Sequence, residues 1–316
     1  MKLSIVSTLY KSRSTLPSFC DRMTRSAESF CGHDFELILV DDGSPDDSLN
    51  IALDLQSLYP QLRVVELSRN FGHHPAMMTG LAQAVGDLVF LIDCDLEESP
   101  EWLLDFVRIL KTNECDVVYG VQRNRKGGMF EKTSGALFYR LFSYITGIDV
   151  PMNQVTARLM TLDYVRSLVS HREREIFIAG LWSITGFRQF PTLVDKLSSS
   201  PTTYSFAHKV SLFLNSITAF SQAPLVFIFK LGLCISLLSL GFALWLVIRW
   251  FLFDKPLVGW TSIMASVWLL GGMIISFIGV IGIYLSKIYT ETKRRPYAII
   301  RKVHADRRIR RIGGQS

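Results

Sequence analysis

The sequence predicts an α/β domain built on a mainly parallel sheet, followed by a C-terminal hairpin of two transmembrane helices. Three observations point there. Short apolar, β-prone runs alternate with helical stretches through the first 120 residues. Two long stretches near the C-terminus, Leu231–Ile248 and Leu257–Ser286, carry no charged side chain. Carboxylates directly follow two of the apolar runs, at Asp41-Asp42 and at Asp93-Cys94-Asp95.

The β-prone runs are LSIV at 3–6, ELILV at 36–40, RVVEL at 63–67, DLVFLI at 87–92 and DVVYG at 116–120. Amphipathic stretches such as Asp46–Tyr59 and Pro75–Val85 separate them. Strands joined by helices form a parallel sheet covered on both faces, and ligands of such sheets bind beyond the carboxyl ends of the strands. Ser99-Pro100-Glu101 combines an N-cap residue, a first-turn proline and a first-turn acid, so a helix is expected to begin there. Apolar residues recur at helical spacing in Thr133–Ile148 and again in Phe206–Phe220. Each stripe is either a core face or, beside a membrane anchor, an interfacial helix lying among headgroups.

Hydrophobic residues make up 49% of the chain and the mean hydropathy is +0.26. Roughly 20 apolar residues span the hydrocarbon core, so the two uncharged stretches read as membrane spans. Buried core helices are the alternative, disfavoured because both stretches lie side by side at one end. The net charge of +6 hides an asymmetry. Ahead of Pro224 there are 21 Lys/Arg against 25 Asp/Glu, whereas Lys287–Arg311 holds ten Lys/Arg and two acids.

A basic tail beside a span fits the cytoplasmic side of a membrane. Lys209 and Lys230 precede the hairpin on that same side, while Asp254-Lys255-Pro256 forms the far loop, which Arg249 can reach by snorkelling. After Met1-Lys2 only LSIV is apolar, too short for an export signal. The expectation is an integral membrane protein with residues 1–229 and both termini in the cytoplasm. A nucleic-acid partner is excluded because the basic residues sit in a tail and not on a folded module. The five cysteines are odd in number and scattered, with Cys234 inside a span, so neither a disulfide framework nor a zinc site is expected.

The chemistry concentrates at strand ends. Alternation at the end of DLVFLI can place Asp93 and Asp95 on one side. Two hard oxygen donors with open positions suit Mg²⁺ or Mn²⁺ held jointly with substrate phosphates. The bland alternative is a pair of solvated turn acids. Asp41-Asp42, before Gly43-Ser44, ends the neighbouring run; it either orients a turn or accepts hydrogen bonds from a base or ribose. Arg123, Arg125 and Lys126 make a cationic loop after the last run.

The segments VDDGSPDDS at 40–48, LSRNFGHHPAMMTGL at 67–81 and LIDCDLEESPEWL at 91–103 resemble inverting glycosyltransferases of the GT-A fold. Their order, with a two-helix anchor behind them, is similar to the polyprenyl-phosphate sugar transferases, from about Leu3 to Tyr289. The resemblance implies a GT-A domain over 1–200, a juxtamembrane amphipathic helix over 201–229, two membrane helices over 230–288 and a basic tail over 289–316. It implies that Asp93 and Asp95 hold the metal, with Glu97 as a third ligand, and that Thr8, Tyr10, Asp42 and Arg69 line the nucleotide-sugar pocket together with Asp93. Arg123, Arg125 and Arg158 would face the acceptor phosphate, Arg158 with a catalytic role. It further implies a UDP-sugar donor, a polyprenyl phosphate such as undecaprenyl phosphate as acceptor, and a homo-oligomer, for which a tetramer is one form.

The chain departs from that family's pattern in three places. Thr8 and Ser12 replace the usual proline and glutamate, Thr156 replaces an aspartate, and Pro201-Thr202-Thr203-Tyr204 replaces a basic Ser-Lys-Tyr stretch. Loss of the aspartate favours a phosphate acceptor, which needs no base, over a hydroxyl acceptor, which does. Asp149 and Asp163 are the candidates for a replacement base. The expected reaction is metal-dependent inverting transfer to the lipid phosphate. The alternatives are transfer to a hydroxyl of a glycolipid or polysaccharide, and a tethered nucleotide-sugar binding protein without catalysis.

Overall fold

The computed structural model describes residues 1–123, 140–141, 143–147, 150–151, 153–174, 176–197, 218, 221, 223–253 and 259–304. Contacts divide the chain into two units: Met1–Arg140, Ile148–Ser205 and Arg295–Ser316 form the first, Leu141–Gly147 and Phe206–Arg294 the second.

The first unit opens with β1 (Leu3–Leu9), α1 (Leu16–Cys31), β2 (Phe35–Asp41), α2 (Ser48–Leu55), β3 (Leu62–Leu67), α3 (His73–Leu81), β4 (Leu88–Leu91), α4 (Trp102–Thr112) and β5 (Val117–Gln122). All five expected runs are strands. It continues with β6 (Gln154–Thr161), α5 (Leu162–Ser170), α6 (Ile178–Ile184), β7 (Gln189–Val194) and, after the second unit, β8 (Ile300–His304). These three strands were not anticipated. Strand order is β7-β5-β6-β4-β1-β2-β3-β8.

β1 pairs in parallel with β2 and with β4, and β2 with β3, so four carboxyl ends share one edge. β6 runs antiparallel to β4, with Leu91 opposite Arg158, which brings the start of β6 to that same edge. β8 is drawn from what the charge pattern marks as a free basic tail. It adds antiparallel to β3, and Glu66 of β3 accepts from both Arg301 (3.1 Å) and His304 (2.9 Å).

β1, β2 and β4 are buried along their whole length, as strands of a doubly covered parallel sheet must be. One face packs on α1, α2 and α4: Phe19 and Met23 meet Leu3, Ile5, Leu37, Phe90 and Phe106 in a continuous core. The other receives α3, and the approach is close: a Cβ on Gly80 would come within 2.5 Å of Val6 Cγ1. At the amino ends, buried Glu36 accepts from Ser4 (2.6 Å), Val85 N–H (3.1 Å) and Arg63 (2.9 Å), which satisfies a carboxylate inside the fold.

α4 begins at Trp102, later than the Ser99 cap implied. Arg22 of α1 draws Glu101 into a two-bond pair (2.9 and 2.6 Å), Ser99 donates to the same carboxylate, and neither side chain caps the helix.

The second unit holds α7 (Ala223–Phe253) and α8 (Trp260–Thr292). Among the described residues one segment, Leu269–Thr292, is long and apolar enough to cross a membrane, and it is wholly unburied. Ala223–Ile235 of α7 is a shorter apolar piece. The amphipathic stretches 133–148 and 206–220 lie mostly outside the described residues, as does the loop at Asp254-Lys255-Pro256.

Candidate active site

The shared edge collects the chemistry. After β2, Asp41 accepts weakly from the Ser44 N–H (3.3 Å). Asp42, nearly inaccessible, accepts from the backbone N–H of Phe71 (2.7 Å) and of Gly72 (2.9 Å). It therefore shapes the 69–72 loop after β3, where Arg69 lies over the Phe71 ring at 4.2 Å. Gly43 makes that contact feasible: its φ is +62°, and a Cβ would sit 2.5 Å from Asn70 N. Burial raises the pKa of both Asp41 and Asp42. Tyr10, at the end of β1, is half exposed, and Lys11 lies over its ring at 5.4 Å.

After β4 the side chains alternate. Cys94 points inward, its thiol 3.0 Å from Thr8 O and 3.2 Å from Ser12 Oγ. Asp93 and Asp95 flank it at the surface, Asp93 partly buried and Asp95 exposed. Burial raises the Asp95 carboxyl, the Glu97 N–H (2.9 Å) pulls it back, and the charge of Asp93 adds to the rise. A close pair of hard carboxylates that repel one another is a donor set that a divalent ion relieves, so the residues fit Mg²⁺ or Mn²⁺ completed by phosphate oxygens.

Glu97 stands beside Asp95, whose pKa its charge helps to raise, and pairs with a lysine. Its carboxylate meets Lys196 Nζ at 3.2 Å, and among the described residues no three His, Cys, Asp or Glu side chains converge on one point. Ligation by Glu97 would compete with its Lys196 pair.

Arg158 is fully buried, over the Trp182 indole, with Nε and Nη2 donating to Thr156 O and Val155 O (3.3 Å each). Desolvation lowers its pKa, while Tyr164 and Glu98 oppose that shift. In this conformation the Arg158 guanidinium presents no exposed surface. Arg123, at the end of β5, is exposed, its Nε 3.8 Å from Asp195; Arg125 lies outside the described residues. Asp163 begins α5 just after Thr161, which pairs with Leu88 at the amino end of β4, so it stands at the opposite edge and cannot serve as a base here. Asp149 lies outside the described residues.

Three residues of the site were not foreseen: Glu98, Lys196 and His73. Glu98 is fully buried and accepts from the Thr156 N–H (2.9 Å), tying the 93–98 turn to β6. Burial drives its carboxyl up to about 8, and Asp93 adds to the rise against Lys196 and the Thr156 N–H. Lys196 Nζ lies 3.2 Å from Glu97 and 3.7 Å from Glu98, and the raised pKa means that the fold favours the protonated Glu98 carboxyl. The protonated form is the better folded one. Its contribution is whole below the ordinary carboxylate range and is lost as pH climbs through about 8. In metal-free buffer the unfolding midpoint of Glu98→Gln should therefore fall less than the wild type's between about pH 5 and 8. Parallel curves would assign Glu98 an ordinary pKa. For Lys196, burial alone would lower the pKa, but Glu98, Glu97, Asp93 and Asp95 together raise it.

The profile of glycosyl transferase family 2 matches residues 4–168. A Mycobacterium tuberculosis (strain CDC 1551 / Oshkosh) protein named only by the glycosyltransferase class is 48% identical over 304 residues, 96% of this chain and 89% of that protein. The bactoprenol glucosyl transferase of Shigella phage SfII is 28% identical over 317 residues, 96% of this chain and 99% of that protein. Among solved structures, the mannosyltransferase PcManGT from Pyrobaculum calidifontis, in complex with GDP-Man and Mn²⁺, superposes with a TM-score of 0.50 at 16% identity. That match covers 69% of this chain and 63% of the mannosyltransferase.

Proposed function

The chain belongs to glycosyl transferase family 2 and is a glycosyltransferase of the GT-A fold, and from that premise we propose that it moves a sugar from a nucleotide-sugar to a membrane polyprenyl phosphate. The observation that carries this reading is the pair Asp93 and Asp95 at the sheet edge, in a chain whose described residues include an unburied apolar helix segment, Leu269–Thr292. End-to-end similarity to a bactoprenol glucosyl transferase supports the lipid phosphate as acceptor. The Mn²⁺ named with PcManGT supports a divalent ion at the carboxylate pair.

In this reading α7 and α8 form a transmembrane hairpin. At about 1.5 Å per residue, helices of 31 and 33 residues exceed the ~30 Å of a hydrocarbon core. The anchor ties the catalytic domain to the cytoplasmic face of the membrane, and the active form is a homo-oligomer.

Asp93 and Asp95 would hold Mg²⁺ or Mn²⁺ on the donor diphosphate; a bound divalent ion supplies charge neutralisation for the leaving nucleoside diphosphate. Tyr10 and Arg69 lie exposed on the donor side and frame the nucleoside. Asp42 and Thr8 act one layer down, Asp42 through the 69–72 loop and Thr8 through His73, whose Nδ1 lies 3.0 Å from its hydroxyl. Arg123, exposed at the end of β5, would meet the acceptor phosphate together with Arg125.

A phosphate monoester, with a second pKa of about 6, is already anionic at neutral pH, so it needs orientation and not deprotonation. The distant position of Asp163 and the burial of Glu98 fit that base-free route. The full chain in detergent, given a panel of labelled nucleotide-sugars, should label undecaprenyl phosphate into the chloroform phase and leave undecaprenol unlabelled. Labelling of undecaprenol, or of neither, would refute the phosphate-acceptor reading.

A further inference from the structure

His73 is the first residue of α3, set by the Gly72 N-cap so that its ring stands between the ends of β1 and β4. Its Nδ1 is 3.0 Å from Thr8 Oγ1, and its Nε2 is 3.4 Å from Asp93 Oδ1. The ring is about half exposed while Asp93 is 19% exposed, so the imidazole covers one side of a carboxylate otherwise sheltered by the turn.

Only one neutral tautomer satisfies both contacts. A Thr8 hydroxyl donating to Nδ1 leaves the proton on Nε2, the nitrogen 3.4 Å from Asp93 Oδ1, a contact longer than an ordinary N–H···O bond. The reverse arrangement would set a nitrogen lone pair against an anion. Thr8 is itself held, being 8% exposed and paired with Val40 of β2, so the chain Thr8–His73–Asp93 runs from the sheet to the metal-holding carboxylate. An imidazole that donates to a ligating carboxylate fixes its rotamer and leaves the other oxygen free for the ion. Partners of this kind are worth about 10–100-fold in metal affinity.

We infer that His73 is a positioning residue for Asp93, oriented by Thr8, that presets the carboxylate for a divalent cation. The inference rests on the reading of Asp93 as a metal-holding residue. Nothing in it requires His73 to touch the donor or to change its protonation.

The test is calorimetric titration of Mn²⁺ into the detergent-solubilised full chain, with UDP and GDP both in excess. Binding by the wild type, lost in Asp93→Asn, establishes the metal reading itself; equal titrations for the two would sink that reading and the inference with it. Given a metal-binding wild type, His73→Ala should weaken Mn²⁺ by about 10–100-fold. His73→Gln, which keeps an N–H within reach of Asp93, should recover most of the loss, and Thr8→Val should show a smaller loss in the same direction.

A His73→Ala protein with wild-type Mn²⁺ affinity overturns the inference. Thermal unfolding in EDTA separates a folding defect: a lowered midpoint with intact Mn²⁺ affinity also counts against it.

Discussion

Asp95→Ala lowers sugar transfer by at least about 1,000-fold, a barrier increase of roughly 4 kcal/mol, while its unfolding midpoint stays close to the wild type's. The separation of the two effects follows from position. Asp95 is exposed, beyond the end of β4, and its carboxylate accepts only the Glu97 N–H in the described contacts. Removing it takes little packing from the core, and partial burial, with the charge of Asp93, raises its pKa in the folded chain. What is lost is half of a two-carboxylate donor set, for which no third acid stands in among the described residues. Steady-state transfer with circular dichroism on the same preparation checks it. An active Asp95→Ala protein would remove the metal from the account.

Arg158→Ala should behave in the opposite way and cost about 3–5 kcal/mol of stability. The guanidinium is fully buried over Trp182, between backbone carbonyls of Thr156 and Val155, and truncation opens a cavity beside the buried Glu98 and Tyr164. Arg158→Met fills most of that volume without a charge, so it should recover most of the stability and keep transfer within about tenfold of wild type. Denaturant unfolding and transfer rates decide between a floor residue and a substrate contact. A well-folded but inactive Arg158→Met would place the guanidinium on the substrate after all.

The contrast between those two residues also shows what the sequence could carry. LSIV, ELILV, RVVEL, DLVFLI and DVVYG are legible as strands because a doubly covered sheet demands unbroken apolar runs. The Asp93/Asp95 alternation around inward Cys94 is legible for the same local reason, the two-residue period of an extended chain. β6, β7 and β8 broke that rule. β6 buries an arginine, β7 is an edge strand with Pro191 and an exposed Leu193, and β8 reads Ile-Arg-Lys-Val-His, charged as edge strands often are.

Glu98, Lys196 and His73 reach the site through tertiary contacts that no local period encodes: Glu98 meets Thr156 from 58 positions away, and Thr8 meets His73 from 65. Arg158 was identified as a site residue by motif alone, and a motif fixes which residue is present, not which way its side chain faces.

The most direct measurement of the central claim is the anomalous difference map, at the manganese edge, of the full chain crystallised with Mn²⁺ and the donor nucleoside diphosphate. The account expects one peak within about 2.0–2.3 Å of oxygens from Asp93, Asp95 and the diphosphate together. Nucleotide bound with the peak elsewhere, or with those two carboxylates turned from it, would contradict it.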